Sequence, residues 1–434
     1  PLDRKHQYKV GLISSLARLG ERVSRTAPAQ PGPRVLVVSL RGWPIHNVYE
    51  STLAQALRLR GADVALLTCG GGQPICEVGW ARVGHPRPCD RCSWHTNAVA
   101  AAARLPVFRL ADHIPWGGDA RKAPCRHYTL GSKVPPEVAY SAPWFLKTSS
   151  IDRSPQGTTV VGEFLASAEA VAAGAERVLA SFRPDVVLMV NGLFTAEHVI
   201  RRIARQQGIR VVTYELSPTA NALVFAQDEA ASHRDTDALW RAVEDRPLTP
   251  AQEAELDALL RSREQGTGTH LRYFGNVKGR GDEIREALGL RGARRVVSLF
   301  TNLSWDSAAL GRNVAFPSML DWVEAACRAA AAARDTHLVV RVHPAEKRWG
   351  TREHVFDEVS VRLGGLPSNV RFVRPEEPLS SYALMDISDL VLTYTSTVGL
   401  EAAARGRPVA VAGDAHYRSR GFTMDISSPQ DLHD

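Results

Sequence analysis

Two doubly wound α/β domains facing a cleft are what this sequence predicts, and three observations predict them. Short apolar, β-branched runs alternate with stretches whose apolar residues recur at helical spacing, the mark of parallel sheets crossed by helices. The alternation comes in two series, over 33–216 and 294–413, with a charged, helix-patterned passage at 228–268 between them. At 434 residues the chain suits two domains of roughly 200 residues each.

The elements follow in order. Residues 1–32 read as a helical extension, in which "QYKVGLISSLARLGERVS" (7–24) forms a short basic amphipathic helix. Such a helix packs on its own domain or lies on an anionic membrane face. "PRVLVVSL" (33–40) is a buried strand, the loop "RGWPIHN" follows, and "VYESTLAQALRLRG" is a helix closed by Gly61. "DVALLT" (63–68) completes a βαβ unit. The stretch 69–158 is irregular and rich in Pro, Gly, Cys and His, so it reads as an insertion. Helix 162–181, strand 184–192, helix 195–207 and strand 209–216 resume the pattern. This first domain runs to 268 and the second from 269 to 434. In the second, strands fall at 294–302, 337–344, 370–373, 389–396 and 408–413, with helices at 318–334 and 398–405.

Composition narrows the function. Hydrophobic residues at 44% and charged residues at 23% are ordinary for a soluble globular chain. The net charge of +7 favours an anionic ligand. The arginines are scattered rather than striped among aromatics, which argues against a nucleic-acid partner. No run of 18 uncharged apolar residues is present to span a bilayer, and the amino-terminal stretch lacks secretory-signal features. A cytoplasmic location is expected, with peripheral contact at the inner membrane face as the role open to helix 7–24.

Ligands of open parallel sheets bind beyond the carboxyl ends of strands, where loops run into helix N-termini. "DLVLTYTSTVGLEAAA" has that form. The hydroxyls of Ser396 and Thr397 and the exposed amides would hold a phosphate. Gly399 would let the backbone come close, and Glu401 would accept hydrogen bonds from sugar hydroxyls. The bland alternative is a capped helix start. Two further strand ends carry polar residues: "VVRVHPAE" with Arg341 and His343, and "SLFTNLSWDS" with Thr301, Asn302 and Asp306. No P-loop and no GxGxxG follows the first strand, against NTPase and dinucleotide readings.

"FTNLSWDS", "RVHPAE" and "TSTVGLEAAARGRPVAVAGDAHYRSRGFT" resemble the capsule polysaccharide biosynthesis glycosyltransferases, the Kdo-transferase-like group. The resemblance is clearest over about 294–425. It implies a GT-B architecture of two Rossmann-like lobes, the first for the acceptor and the second for a nucleotide-sugar donor. It also implies that His343 and the Ser396–Thr397 pair contact the donor's phosphate, with Glu401 nearby, and it favours CMP-linked acid sugars over a UDP-type donor. "VVTYELSPTANALVFAQD" looks like acceptor-lobe sequence of the same group.

A second constellation is Cys69, Cys76, Cys89 and Cys92, spaced C-x6-C-x12-C-x2-C. Four thiolates make a tetrahedral structural zinc site, with an iron–sulfur cluster as the alternative. Cys125, His85, His95 and His113 are possible substitute ligands, and unligated loop thiols are the plain reading.

The expected function is transfer of a sugar from a nucleotide-sugar to a glycan or small-molecule acceptor, with no cofactor in the transfer step. A nucleotide-sugar epimerase or hydrolase on the same plan, or a non-catalytic binding protein, are the alternatives. The catalytic candidates are Glu215, ending the strand "RVVTYEL", and His46, in the loop after the first strand. An acid ending an apolar strand is costly to bury unless it is used or paired, which favours Glu215.

Overall fold

The computed structural model describes residues 4–26, 31–81, 89–217, 219, 222–265, 281–290 and 292–433. His85 and the end of the inter-domain passage, 266–268, lie outside them. The chain divides into two compact units. The first holds residues 1–146, 151–216 and 223–234, and the second holds 147–150, 217–222 and 235–434. Helices Asp237–Arg241 and Pro250–Glu264 therefore count with the second unit, although their charged sequence was read as belonging with the first.

In the first unit the strands are β1 (Arg34–Val38), β2 (Asp63–Thr68), β3 (Val107–Arg109), β4 (Val186–Val190), β5 (Arg210–Leu216) and β6 (Leu223–Gln227). They form one sheet in the order β3-β2-β1-β4-β5-β6. All neighbours pair parallel except β5 and β6. Strand alternation sends Leu36, Val38, Leu67, Val187 and Met189 into a core with helices Gly157–Phe182 and Thr195–Gln206. Val35, Val37, Leu66, Leu188 and Tyr214 face the other way, onto Ala54 of helix Pro44–Leu59 and Ala100 and Ala103 of helix Cys89–Ala103. A sheet covered on both faces is the doubly wound plan.

Part of the stretch read as an insertion is in fact regular. Helix Cys89–Ala103 and β3 are the sheet's own crossover and edge strand. The sequence hides them because β3 has only three residues, two of them exposed, so no apolar run announces it. At the amino end, helix Arg4–Ser24 buries Leu16 and Val23. A Cβ at Gly20 would meet the Ala102 carbonyl oxygen at 2.7 Å, so this helix uses one face for close packing on helix Cys89–Ala103. No described helix is long and apolar enough to cross a membrane.

In the second unit the strands are β7 (Arg295–Phe300), β8 (Thr336–Arg341), β9 (Val370–Val373), β10 (Leu390–Thr393), β11 (Val409–Val411) and β12 (Met424–Asp425). Their order is β12-β11-β10-β7-β8-β9, parallel throughout. Leu299, Leu338, Val340 and Leu392 pack against helix Met319–Ala332. Val296, Val339, Val391 and Val409 pack against Ile284, Leu384 and Ala402 on the opposite face. Each sheet reverses its strand order beside its first strand: between β1 and β4 in one unit, and between β7 and β10 in the other. Those reversals are where ligands of such sheets bind.

Candidate functional site

The strand-end residues of the second unit gather at its reversal point. Beyond β7 and β10, the Thr395 N–H donates to Asn302 Oδ1 at 3.3 Å, and the Thr395 hydroxyl donates to the Ala308 carbonyl at 2.7 Å. Beyond β8, the His343 N–H donates to the Thr301 hydroxyl at 2.9 Å. Loops 301–308, 341–345 and 394–398 are thus joined into one surface. The His343 ring accepts from the Ala345 N–H through Nδ1 at 3.1 Å, which places its proton on Nε2. Burial first, then the Arg341 charge, lowers its pKa to about 4. At neutral pH it is an uncharged Nε2–H donor, a form suited to a phosphate oxygen.

Other residues at these strand ends serve the scaffold. Arg341 is 2% exposed and donates to the Arg374 carbonyl at 2.8 Å, so its guanidinium points into the unit instead of standing open at the strand end. A Cβ at Gly399 would collide with the Tyr417 phenol, so the glycine there makes room for Tyr417. That phenol donates to the Ser396 carbonyl at 2.6 Å. The Glu401 carboxylate is held by Arg263 and by the Tyr382 hydroxyl, the latter at 2.6 Å. Ser396 and Thr397 remain half-buried at the start of helix Val398–Ala404, and Thr397 makes no side-chain cap bond.

The structure adds Lys147, which the sequence does not single out. It is 1% exposed, and its ammonium lies 3.8 Å from the centre of the Trp305 indole. Burial lowers its pKa to about 7, while the nearby Asp306 carboxylate acts the other way. Its backbone has φ +58°, a strained value for a side chain with a Cβ. The neighbours hold that strain: Arg352 N–H donates to the Lys147 carbonyl at 2.9 Å, and Glu353 accepts from the Ser149 N–H at 2.9 Å and hydroxyl at 2.6 Å. Ser304 also donates to Glu353, at 2.9 Å. No motif marks Lys147, because chain distance separates it from the loop it serves.

The reversal point of the first unit is a buried polar network. Arg41, after β1, donates to Glu77 at 2.7 Å and forks onto both oxygens of Glu197. All three residues are buried. Near this one cation lies a third carboxylate, Glu50, which accepts from Ser39, from Asn47, and from the Tyr214 hydroxyl at 2.9 Å. Burial dominates those hydrogen bonds and pushes Glu50 up to about 7. His46 Nδ1 lies 3.1 Å from the same Tyr214 oxygen, and burial followed by the Arg41 charge lowers its pKa to about 4.

Glu215 acts on this network through its charge, which adds to the rise of the Tyr214 pKa after burial and Glu50. It neighbours Tyr214 on β5, and strand alternation sends the two side chains to opposite faces. It is half-buried and pairs in register with Val224 of β6. A tyrosine within an apolar strand gives no signal of its own, so sequence reasoning passed over the residue that links His46 to Glu50.

A stability prediction follows from this network. Glu50 holds its proton in the folded state from its ordinary 4.5 up to about 7, whereas the unfolded chain ionises. Its contribution is therefore full below pH 4.5 and lost as pH rises to 7, about 3 kcal/mol in all. His46, lowered from 6.5 to about 4, works in the opposite sense and conceals the effect in wild type. The stability of Glu50→Gln relative to wild type should rise by about 3 kcal/mol between pH 4.5 and 7, measured by urea unfolding of the first unit. A constant difference would place Glu50 in a solvated site.

The four cysteines also meet in the first unit. Cys69, Cys76, Cys89 and Cys92 line one small cavity. Among the described residues no group of three or more His, Cys, Asp or Glu already stands in metal-holding geometry. His95 is buried in helix Cys89–Ala103, and the His113 ring packs against Phe108 at 5.8 Å.

Residues 302–432 match the family model described as Capsule polysaccharide biosynthesis protein. The resemblance read from the three motifs holds over that segment. No curated protein matches the chain. Among solved structures, the chain is similar to the Thermosulfurimonas dismutans KpsC β-Kdo 2,4 transferase at 16% identity and TM-score 0.38, covering 57% of this chain and 74% of that one. The β-Kdo 2,7 transferase of the same organism gives 13% identity and TM-score 0.36, covering 59% and 74%. The Neisseria meningitidis UDP-GlcNAc 2-epimerase, bound to UDP-GlcNAc, gives 11% and 0.29, covering 92% and 89%.

Proposed function

We propose that the chain is a glycosyltransferase of polysaccharide biosynthesis, moving a sugar from a nucleotide-sugar to a glycan or small-molecule acceptor. The observation that supports this reading is where the family match falls. Residues 302–432 take in the polar strand ends from Asn302 onward, and hydrogen bonds, one of them from His343 to Thr301 just before the match, join those ends at the reversal point of the second sheet. In this reading the second unit binds the donor. Asn302 braces the junction, His343 Nε2–H reaches a phosphate oxygen, and the Ser396 and Thr397 hydroxyls hold the same group. Oriented donors of this kind stabilise the charge that develops on a leaving phosphate, so the transfer step needs no cofactor. Arg341, Gly399 and Glu401 support the site from behind. The first unit binds the acceptor and supplies the base.

The test combines binding and turnover. Thermal shifts against CMP, UDP, GDP and dTDP should pick out one nucleotide, since a ligand at 100 times its Kd stabilises by about 2.7 kcal/mol. The matching nucleotide-sugar should then release nucleotide only when an acceptor is present. Release without acceptor, or an isomerised donor, would make the chain a hydrolase or epimerase. Binding with no turnover would leave a non-catalytic nucleotide-sugar protein.

A further inference from the structure

We propose that Cys69, Cys76, Cys89 and Cys92 ligate a single divalent cation of the zinc class within the first unit, independently of sugar transfer. The four come from separate places: Cys69 directly follows β2, Cys76 lies in the next loop, and Cys89 and Cys92 form the first turn of helix Cys89–Ala103. The fold brings them to one cavity of about 20 Å³. Such a volume holds one water-sized body. It has room for a lone ion.

N–H donors reach two of the four sulfurs. The Gly42 N–H donates to Cys92 Sγ at 3.0 Å, and the Gln73 amide donates to Cys69 Sγ at 3.5 Å. A Cβ at residue 42 would stand 3.2 Å from that Cys92 sulfur and 3.1 Å from its Cα, so glycine is what lets this backbone donor approach. Cys89 and Cys92 also sit in the positive potential of a helix N-terminus. None of the four is in a disulfide. Four sulfur ligands with N–H donors around them select zinc over harder cations. Since the thiols do not yet stand in ligating geometry, binding turns them inward and sends their protons to solvent. The ion would then tie the loop after β2 to the crossover helix.

The experiment uses the whole chain, purified without chelators, assayed for zinc, iron and sulfide, then stripped and titrated with cobalt(II). The expected result is about one zinc per chain and, on titration, thiolate-to-cobalt absorption with the bands of a tetrahedral ion. Cys125→Ser, at an exposed thiol that does not line the cavity, should keep both signals. Cys89→Ser combined with Cys92→Ser should lose both. The wild-type spectrum decides the matter even should that variant fail to fold. Wild-type protein with neither zinc nor a cobalt–thiolate band, protein carrying iron and sulfide, or cysteines found as disulfides by non-reducing mass analysis would overturn the proposal.

Discussion

His46→Ala is expected to slow sugar transfer by at least roughly 100-fold, the usual loss when a general base is removed, while nucleotide affinity stays near wild type. The argument rests on where protons sit. The Tyr214 hydroxyl donates to Glu50, so its oxygen can only accept from His46 Nδ1, 3.1 Å away. That fixes the tautomer with hydrogen on Nδ1 and leaves the Nε2 lone pair to take the proton of an acceptor hydroxyl. With a pKa of about 4 the imidazole is neutral, and able to act as a base, across the physiological range. The group that titrates near neutrality is Glu50, at about 7. Its ionised form holds the Tyr214 proton and stabilises the imidazolium formed in the transition state. The rate at saturating donor should therefore rise with pH through about 7, and Glu50→Gln should flatten that limb. Tyr214→Phe should lower the rate less than His46→Ala, because the base remains but its orientation is lost. Glu215→Gln should leave the rate within a few-fold. A 100-fold loss in Glu215→Gln with a normal rate in His46→Ala would move the base to β5.

The fold was legible wherever burial forced long apolar runs. β1, β2, β4, β5, β7 and β9–β11 each lie within a stretch of sequence that reads as a strand, and so does β8 but for Thr336. Of the edge strands only β9, buried at three of its four positions, was legible. β3 is short and half-exposed, β6 is an antiparallel edge, and β12 has two residues. None of them needs a continuous apolar run, because one side of each faces no neighbour. The candidate site divides the same way. The strand-end positions of His343, Asn302 and Ser396 were legible because these residues closely follow apolar strands. Arg341 had the same sequence context, yet its length lets it fold back into the interior to the Arg374 carbonyl. Position in sequence cannot distinguish those two outcomes. Lys147, Glu353 and Tyr214 act through contacts between segments far apart in the chain, at residues that match no local motif.

Replacing Ser396 and Thr397 together by alanine is expected to weaken nucleotide binding at least roughly 100-fold. Two charge-assisted hydrogen bonds would go, each worth about 1.5–3 kcal/mol, and each 1.4 kcal/mol is about a tenfold change in Kd. The scaffold should survive. Thr397 makes no side-chain cap bond, and the Ser396 hydroxyl only accepts from the Val398 N–H at 3.3 Å. The position of the junction depends instead on the Tyr417 hydroxyl bond to the Ser396 carbonyl and on the Asn302–Thr395 bond, and neither substitution touches those. Affinity by calorimetry should thus fall while the melting temperature moves little. Glu401→Gln supplies the contrast. Its carboxylate is spent on Arg263 and Tyr382, with both ends of the ion pair mostly buried, so it should lower the stability of the second unit and leave nucleotide affinity close to wild type. The two variants should move opposite readouts. Should the double alanine variant bind within about threefold of wild type, the junction does not hold the donor phosphate, and the Lys147–Asp306 loop becomes the next anion site to vary. Should Glu401→Gln weaken binding with stability unchanged, its carboxylate must leave Arg263 to meet the ligand.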